Sequence, residues 1–278
     1  MKVGVYGGGR MGAGIAHAFL LTGAEVVITE ASEEAAEAAK ERVAGSLAKA
    51  AQRQALPEGT APEDLLARLS VSSDPTTLHD STLIVEAVPE DPALKKTVLQ
   101  TCSHEAPDAW LASNTSSLSV TELAADLPKP ERLIGLHFFN PVPASDLVEI
   151  VVGRQTALEL VERAQGWVKD LGKTAITVQD SPGFASSRLG VFLALEAMRM
   201  VEDGVASAAD VDTAMTLGYK HPTGPLRTTD IVGLDVRLAI AEHLAKELGD
   251  RFEPPQILRD KVAAGELGRK SGQGFYEW

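Results

Sequence analysis

The sequence predicts an α/β fold: a Rossmann-like doubly wound N-terminal sheet with a helical hairpin insertion, followed by an all-α C-terminal domain. Three observations predict it. Strand-like and helix-like segments alternate through residues 1–182, the pattern of a mostly parallel sheet. Residues 82–88 (TLIVEAV) form a nearly continuous apolar run, suited to a strand covered on both faces. Beyond Asp180-Ser181-Pro182-Gly183 the texture turns to helix almost throughout, which places a domain boundary at Pro182-Gly183 and gives domains of residues 1–182 and 183–278.

Each element has its own signal. Residues 2–6 and 25–29 are β-rich and flank an apolar stretch at helical spacing, 11–22. Residues 32–55 are rich in alanine and charge and predict a long helix. The stretch Leu56-Pro57-Glu58-Gly59-Thr60-Ala61-Pro62 interrupts it, helix resumes over 63–69, and a short strand follows at 71–73. Further strands are predicted at 82–88, 110–113, 133–139 and 174–178, with helices between them, notably 157–171. In the second domain the helices are 187–203, 208–217, 230–248 and 256–264. No internal repeat or low-complexity tail is evident.

Composition removes several classes of function. A formal net charge of −13 disfavours a nucleic-acid or acidic-membrane surface, while leaving room for small anionic ligands held by local donors. The single cysteine, Cys102, excludes an internal disulfide framework, and no Cys/His cluster suggests a metal. No run reaches membrane-span length and no signal-peptide stretch stands at the start, so the expected location is cytoplasmic.

Gly7-Gly8-Gly9-Arg10-Met11-Gly12 matches G-x-G-x-x-G between a strand and a helix, with Glu30 at the tip of the second strand. Gly7 permits the tight turn, Gly9 lets a pyrophosphate approach the backbone, and Gly12 brings the helix close to the sheet. The N-terminus of the helix over 11–22 offers free N–H groups to phosphates, with Arg10 and Met11 counted among the cofactor-binding residues. A carboxylate at Glu30 suits two ribose hydroxyls and repels a 2′-phosphate, which favours NAD over NADP. The further glycine-rich segments expected for a flavin are missing.

His137, in Gly135-Leu136-His137-Phe138-Phe139-Asn140-Pro141, stands among apolar and aromatic residues, where an imidazole needs partners. Glu149, twelve residues on in a second apolar run, is a candidate partner that would fix one tautomer and stabilise the protonated ring. On these residues alone a satisfied core histidine is an equal alternative to a general base.

Asn114-Thr115-Ser116-Ser117, the HFFNP segment with Glu149, Pro182-Gly183-Phe184, His221-Pro222-Thr223-Gly224-Pro225, Val232-Gly233-Leu234-Asp235 and the ending around Gly268-Arg269-Lys270-Ser271-Gly272 resemble, with the glycine loop, the 3-hydroxyacyl-CoA dehydrogenases. The similarity is greatest to the short bacterial 3-hydroxybutyryl-CoA type and covers essentially the whole chain. It implies NAD-dependent oxidation of a short (3S)-3-hydroxyacyl-CoA, with His137 as base and Glu149 on its far nitrogen. It places Ser116 on the substrate oxygen or the nicotinamide, although a helix cap is the plain alternative. It places Asn140 on the cofactor, or else in shaping the turn before Pro141, Glu90 and Lys95 on the nicotinamide ribose side, where both could also be ordinary exposed residues, and Lys270 within reach of the cofactor. Ser46 and Arg53 match positions that contact coenzyme A; seven residues apart, they share a helix face, which could equally be merely solvated. Lys49 falls about 60° off that face.

One position departs. Ser187, fifty residues after His137, stands where the family usually has an asparagine that holds the substrate's oxygens. Serine is shorter and has one donor. Two other readings remain open: a dehydrogenase of a free hydroxy or sugar acid on the same scaffold, and a weakly active NAD-binding protein. The apolar helices of the second domain are expected to build a homodimer, with Ser181-Pro182-Gly183 as a hinge.

Overall fold

The computed structural model describes all 278 residues and divides into two compact units, Met1–Ser181 and Pro182–Trp278. In the first unit eight strands make one sheet: β1 (Lys2–Tyr6), β2 (Glu25–Thr29), β3 (Leu69–Ser72), β4 (Leu83–Glu86), β5 (Trp110–Ser113), β6 (Leu133–Phe138), β7 (Leu147–Val152) and β8 (Thr174–Gln179). Their order is β3-β2-β1-β4-β5-β6-β7-β8, so the chain reverses direction across the sheet between β3 and β4. β1 to β6 run parallel, β7 lies antiparallel to β6, and β8 is parallel to β7.

Central strands are buried on both faces, with Val3, Val5, Ile84 and Val85 sealed from solvent, which is why they read as unbroken apolar runs. Six helices accompany the sheet: α1 (Arg10–Leu21), α2 (Glu33–Gln52), α3 (Pro62–Leu66), α4 (Pro92–Glu105), α5 (Val120–Ala124) and α6 (Leu158–Asp170). α2 and α3 form the hairpin inserted between β2 and β3. The α2 N-terminus is capped by Ser32, whose hydroxyl accepts from Ala35 N at 3.2 Å, and Glu33 and Glu34 oppose the positive end of the helix dipole. α2 buries one stripe, Ala36, Ala39, Val43 and Leu47, at helical spacing.

The sequence-based elements need two corrections. β7 was an apolar run without a strand assignment; sandwiched between β6 and β8, its LVEIVV sequence hides the alternation that marks a half-exposed strand. The helix expected over 230–248 is two helices, because Gly233 adopts φ +110, a region an α-helix cannot pass through.

The second unit comprises α7 (Ser186–Glu202), α8 (Ala208–Thr213), a π-helical turn over Ala214–Gly218, α9 (Pro225–Val232), α10 (Leu234–Leu248) and α11 (Gln256–Ala263). Its core gathers Val191, Leu195, Met198, Leu226, Leu234, Leu244 and Phe252. The chain end is tied down by buried carboxylates. Asp230 accepts from Phe275 N, Tyr276 N and Trp278 Nε1, each at 2.9 Å, and Asp212 accepts from the Tyr276 hydroxyl at 2.8 Å. No helix is long and apolar enough to cross a membrane.

Candidate active site

The glycine loop is shaped as a phosphate cradle. Gly7 has φ +96, and a Cβ on Gly12 would stand 1.8 Å from Gly7 O, so neither position admits a side chain. Nothing lies within 4 Å of where a Gly9 Cβ would be; the loop is open at the point where a pyrophosphate would approach. Gly8, unassigned from sequence, is required by packing, since its Cβ would meet Ala39 Cβ at 2.3 Å. Glu30 stands just beyond β2 and accepts from Gly8 N at 2.6 Å, which holds its carboxylate beside the loop. These features fit a dinucleotide, and Glu30 is placed to accept from ribose hydroxyls. Arg42, on α2, donates to Gly8 O at 3.1 Å.

At the far end of β6, His137 is directly opposite Glu149 of β7. Opposed residues of an antiparallel pair share a face, so the register delivers the carboxylate to the ring. His137 Nδ1 lies 2.6 Å from Glu149 Oε2; Glu149 is fully buried and His137 is 7% exposed. A carboxylate accepts only, so Nδ1 carries a proton, and in the neutral imidazole Nε2 is then the basic nitrogen. The Phe139 ring packs on the imidazole at 4.5 Å between centroids. Asn114 Oδ1 accepts from Phe138 N at 2.9 Å and ties the end of β5 to the end of β6.

A second network positions Ser116. Glu90 Oε1 accepts from the Thr115 hydroxyl at 2.7 Å, from Ser116 N and Ser117 N at 2.8 and 3.1 Å, and from the Ser117 hydroxyl at 3.0 Å. The Ser116 hydroxyl is its longest contact, 3.2 Å, and is the one most easily diverted to a ligand. Burial raises the Glu90 pKa, but the Lys95 ammonium and these donors outweigh it and hold the carboxyl below the usual range. Lys95 itself is 1% exposed, with its ammonium 2.7 Å from Glu86 Oε1, 3.1 Å from Val88 O and 3.3 Å from Glu90 Oε2. Lys95 is thus a buried ammonium paired with Glu86 and Glu90, and not an ordinary exposed lysine. Glu86, hidden in the apolar run of β4, also accepts from the Ser113 hydroxyl at 2.6 Å. A charged residue inside a fully buried strand was the signal for it.

These residues surround a cavity of about 370 Å³ lined by Met11, Glu90, Asn114, Ser116, His137 and Asn140 among others. Asn140 also lines a larger cleft of about 770 Å³ between α1, α2 and the segment after β6. Ser46 and Arg53 both line this cleft, and so do Arg10, Arg42 and Lys49, with no acidic side chain among the lining residues. Lys49 lines the cleft too, although it stands about 60° off the face of Ser46 and Arg53, an angle that a long flexible side chain spans. Ser46 Oγ is 2.7 Å from Nδ1 of His17, a buried histidine of α1 absent from the sequence reading. Burial, and then the nearby Lys173, pull the His17 pKa down to about 4, so the ring is neutral at pH 7.

Two expected site residues lie in the second unit. Ser187 is the second residue of α7 and partly exposed. Lys270 binds both carboxylate oxygens of Asp235 at 2.6 Å.

Comparison with known proteins bears on the whole chain. Residues 2–181 match the 3-hydroxyacyl-CoA dehydrogenase NAD-binding domain, and residues 183–278 match the 3-hydroxyacyl-CoA dehydrogenase C-terminal domain. A probable 3-hydroxybutyryl-CoA dehydrogenase of Deinococcus radiodurans is 40% identical over 280 residues, covering 100% of both chains. A 3-hydroxybutyryl-CoA dehydrogenase of Mycobacterium tuberculosis is 40% identical over 281 residues, covering 100% of this chain and 98% of its own. The solved structure of an (S)-3-hydroxybutyryl-CoA dehydrogenase from Ralstonia eutropha superposes with a TM-score of 0.95 at 39% identity, covering 100% of this chain and 98% of the other. With an NAD-binding domain, a buried histidine–glutamate pair at its mouth and a helical second unit, the chain belongs to the 3-hydroxyacyl-CoA dehydrogenase family.

Proposed function

We propose that the protein oxidises short (3S)-3-hydroxyacyl thioesters of coenzyme A, 3-hydroxybutyryl-CoA being the type case, to 3-ketoacyl thioesters, with His137 as general base. The observation that carries this is the buried 2.6 Å contact between Nδ1 of His137, a residue that lines the cavity, and Glu149, a carboxylate placed to stabilise the protonated ring. Nε2 takes the proton of the C3 hydroxyl while the hydride leaves C3, and Glu149 stabilises the imidazolium that results. NAD, when bound on the glycine loop, supplies the hydride acceptor. Ser116 turns its hydroxyl from Glu90 to the substrate oxygen and loses little, because Glu90 keeps its other donors.

Glu30 and the loop Gly7, Gly9, Arg10, Met11 and Gly12 hold the adenosine and pyrophosphate side of the cofactor. Glu90 serves the nicotinamide ribose side with Lys95 fixing it, and Asn140 and Lys270 are further contacts to the cofactor. The basic cleft with Ser46 and Arg53 takes the phosphates of coenzyme A; a free-acid substrate would leave Ser46 and Arg53 without a role. Ser187 contacts the substrate's oxygens with a hydroxyl in place of an amide. The protein is read as a cytoplasmic homodimer joined through the second unit, a reading supported by the exposure of Leu189, Leu217 and Tyr219 there.

The test is NADH oxidation with 3-ketoacyl-CoA thioesters of increasing chain length, the matching free acids and NADPH as controls. Turnover restricted to thioesters and NADH, best at short chains, is expected. Equal turnover of free acids, or none on any thioester, overturns the reading. Sedimentation at micromolar concentration giving a monomer mass overturns the dimer.

A further inference from the structure

The basic cleft of the first unit holds a histidine that the reaction does not use. His17 is 1% exposed and lines the cleft together with Ser46. Arg10, Ala13, Gly14 and His17 line it from α1 at spacings of three and four residues, one face of that helix. A buried imidazole is costly unless its polar nitrogens are partnered. Here Nδ1 lies 2.7 Å from Ser46 Oγ, a bond that joins α1 to α2. Lys173, just before β8, donates to Val142 O at 2.8 Å and to Ser145 O, and so fixes the segment after β6 that also lines the cleft. Burial first, and Lys173 second, keep the His17 ring uncharged at pH 7.

An uncharged imidazole carries one proton, and its position sets the polarity of the bond to serine. With the proton on Nε2, Nδ1 accepts the Ser46 hydroxyl hydrogen, and the serine turns only lone pairs to the cleft. With the proton on Nδ1, the ring donates to Oγ, and the hydroxyl hydrogen is free to point at a ligand. Anionic phosphate oxygens are acceptors, so they are served by the second arrangement and opposed by the first. The exchange between the two moves the one proton from one ring nitrogen to the other and changes no charge.

We propose that His17 is a positioning residue for the thioester: with the coenzyme A phosphates in the cleft, its ring donates from Nδ1 to Ser46 Oγ, and the Ser46 hydroxyl donates to an anionic oxygen of the ligand. The proposal rests on the reading of this cleft as the coenzyme A site. A neutral ring can aim a donor from a buried position where a further cation would have to be desolvated. The arginines and lysine of the cleft supply the charge, and the His17–Ser46 pair supplies direction.

The experiment measures NADH oxidation at pH 7 with acetoacetyl-CoA and with acetoacetyl-N-acetylcysteamine, which has the same reacting end and no phosphate. His17→Leu removes both ring nitrogens. It should raise KM for acetoacetyl-CoA by about 10-fold, with kcat and the phosphate-free thioester changed by less than about twofold. His17→Asn, whose amide nitrogen can stand in for Nδ1, should recover most of the loss. In a Ser46→Ala background His17→Leu should have no further effect, because the hydroxyl it aims is gone. The His17→Leu effect should also persist at 0.5 M salt, since the ring is uncharged. If His17→Leu does not fold, His17→Met takes its place. Equal losses on both thioesters, a full effect in the Ser46→Ala background, or an effect that salt abolishes each overturns the proposal. So does an unchanged KM in His17→Leu where Arg53→Ala raises it, a result that leaves the cleft reading standing. No change in KM with any of the three variants overturns the cleft reading and the proposal together. Absence of wild-type turnover on acetoacetyl-CoA is the separate failure of the dehydrogenase reading, and calorimetric titration with coenzyme A then decides the role of His17 in the same variants.

Discussion

Replacing Glu149 by glutamine removes one charge and almost no volume. In the native site the carboxylate is fully buried and 2.6 Å from His137 Nδ1. As the imidazolium forms, the two charge centres stand about 4 Å apart, which at an effective dielectric of about 20 is worth about 4 kcal/mol. The glutamine oxygen still accepts from Nδ1–H, and that bond returns about 1 kcal/mol. The net loss of about 3 kcal/mol corresponds to a fall in kcat of about 100-fold. Stopped-flow NADH oxidation with acetoacetyl-CoA measures it. Because the charge is needed only as the ring protonates, the affinity for NADH should not change. If kcat falls less than about threefold while the protein stays folded by circular dichroism, the carboxylate does not stabilise the imidazolium and the general-base argument is refuted.

Four other perturbations probe the rest of the site. Glu30→Ala should weaken NADH binding by about 10- to 100-fold, since charge-assisted bonds to ribose and to Gly8 N are lost together; fluorescence titration reads this, and unchanged affinity would move the ribose contact elsewhere. Lys95→Met strands the buried Glu86 carboxylate and should lower unfolding stability in urea by about 3–5 kcal/mol; a loss below about 1 kcal/mol would mean that the pair is not what holds α4 to β4. Arg53→Ala should raise KM for the thioester by several-fold in low salt and less at 0.5 M salt, while a salt-independent effect would argue against phosphate contact. His17 binds a proton near pH 6.5 when unfolded but only near pH 4 when folded, so the unfolded state holds more protons between those values and stability rises with pH across that window. Urea midpoints at pH 7 and pH 4.5 should differ less in His17→Gln than in wild type; equal differences would show that the buried ring contributes nothing.

Much of the cofactor half of the site was legible in the sequence because its constraints are local. Gly7, Gly9 and Gly12 act through backbone conformation and close approach within six residues, and Glu30 marks the end of the next strand. The pairing of His137 with Glu149 was legible as a need for a partner, but not as geometry. The reversed direction of β7 creates it, and direction is invisible in an apolar run with no alternation. Lys95 and Glu86 were harder. Each looks like a surface residue by type, and only the packing of α4 on β4 shows that they neutralise each other inside. His17 lay in an amphipathic helix whose interior face the sequence predicted well, yet nothing local shows that it meets Ser46 across 29 residues.

The reversal at β7 also governs which genetic changes this catalytic pair can survive. His137 meets Glu149 because residues 135–138 pair with 151–148 in a fixed register. A slip of one residue would present Val148 or Ile150 to the imidazole and turn Glu149 to the opposite face. Substitutions in the connecting segment leave the pairing alone, whereas a single codon gained or lost within either strand would silence the enzyme in one step. Lineages descended from this protein should therefore drift freely in composition around the pair while the count of residues inside β6 and β7 stays frozen.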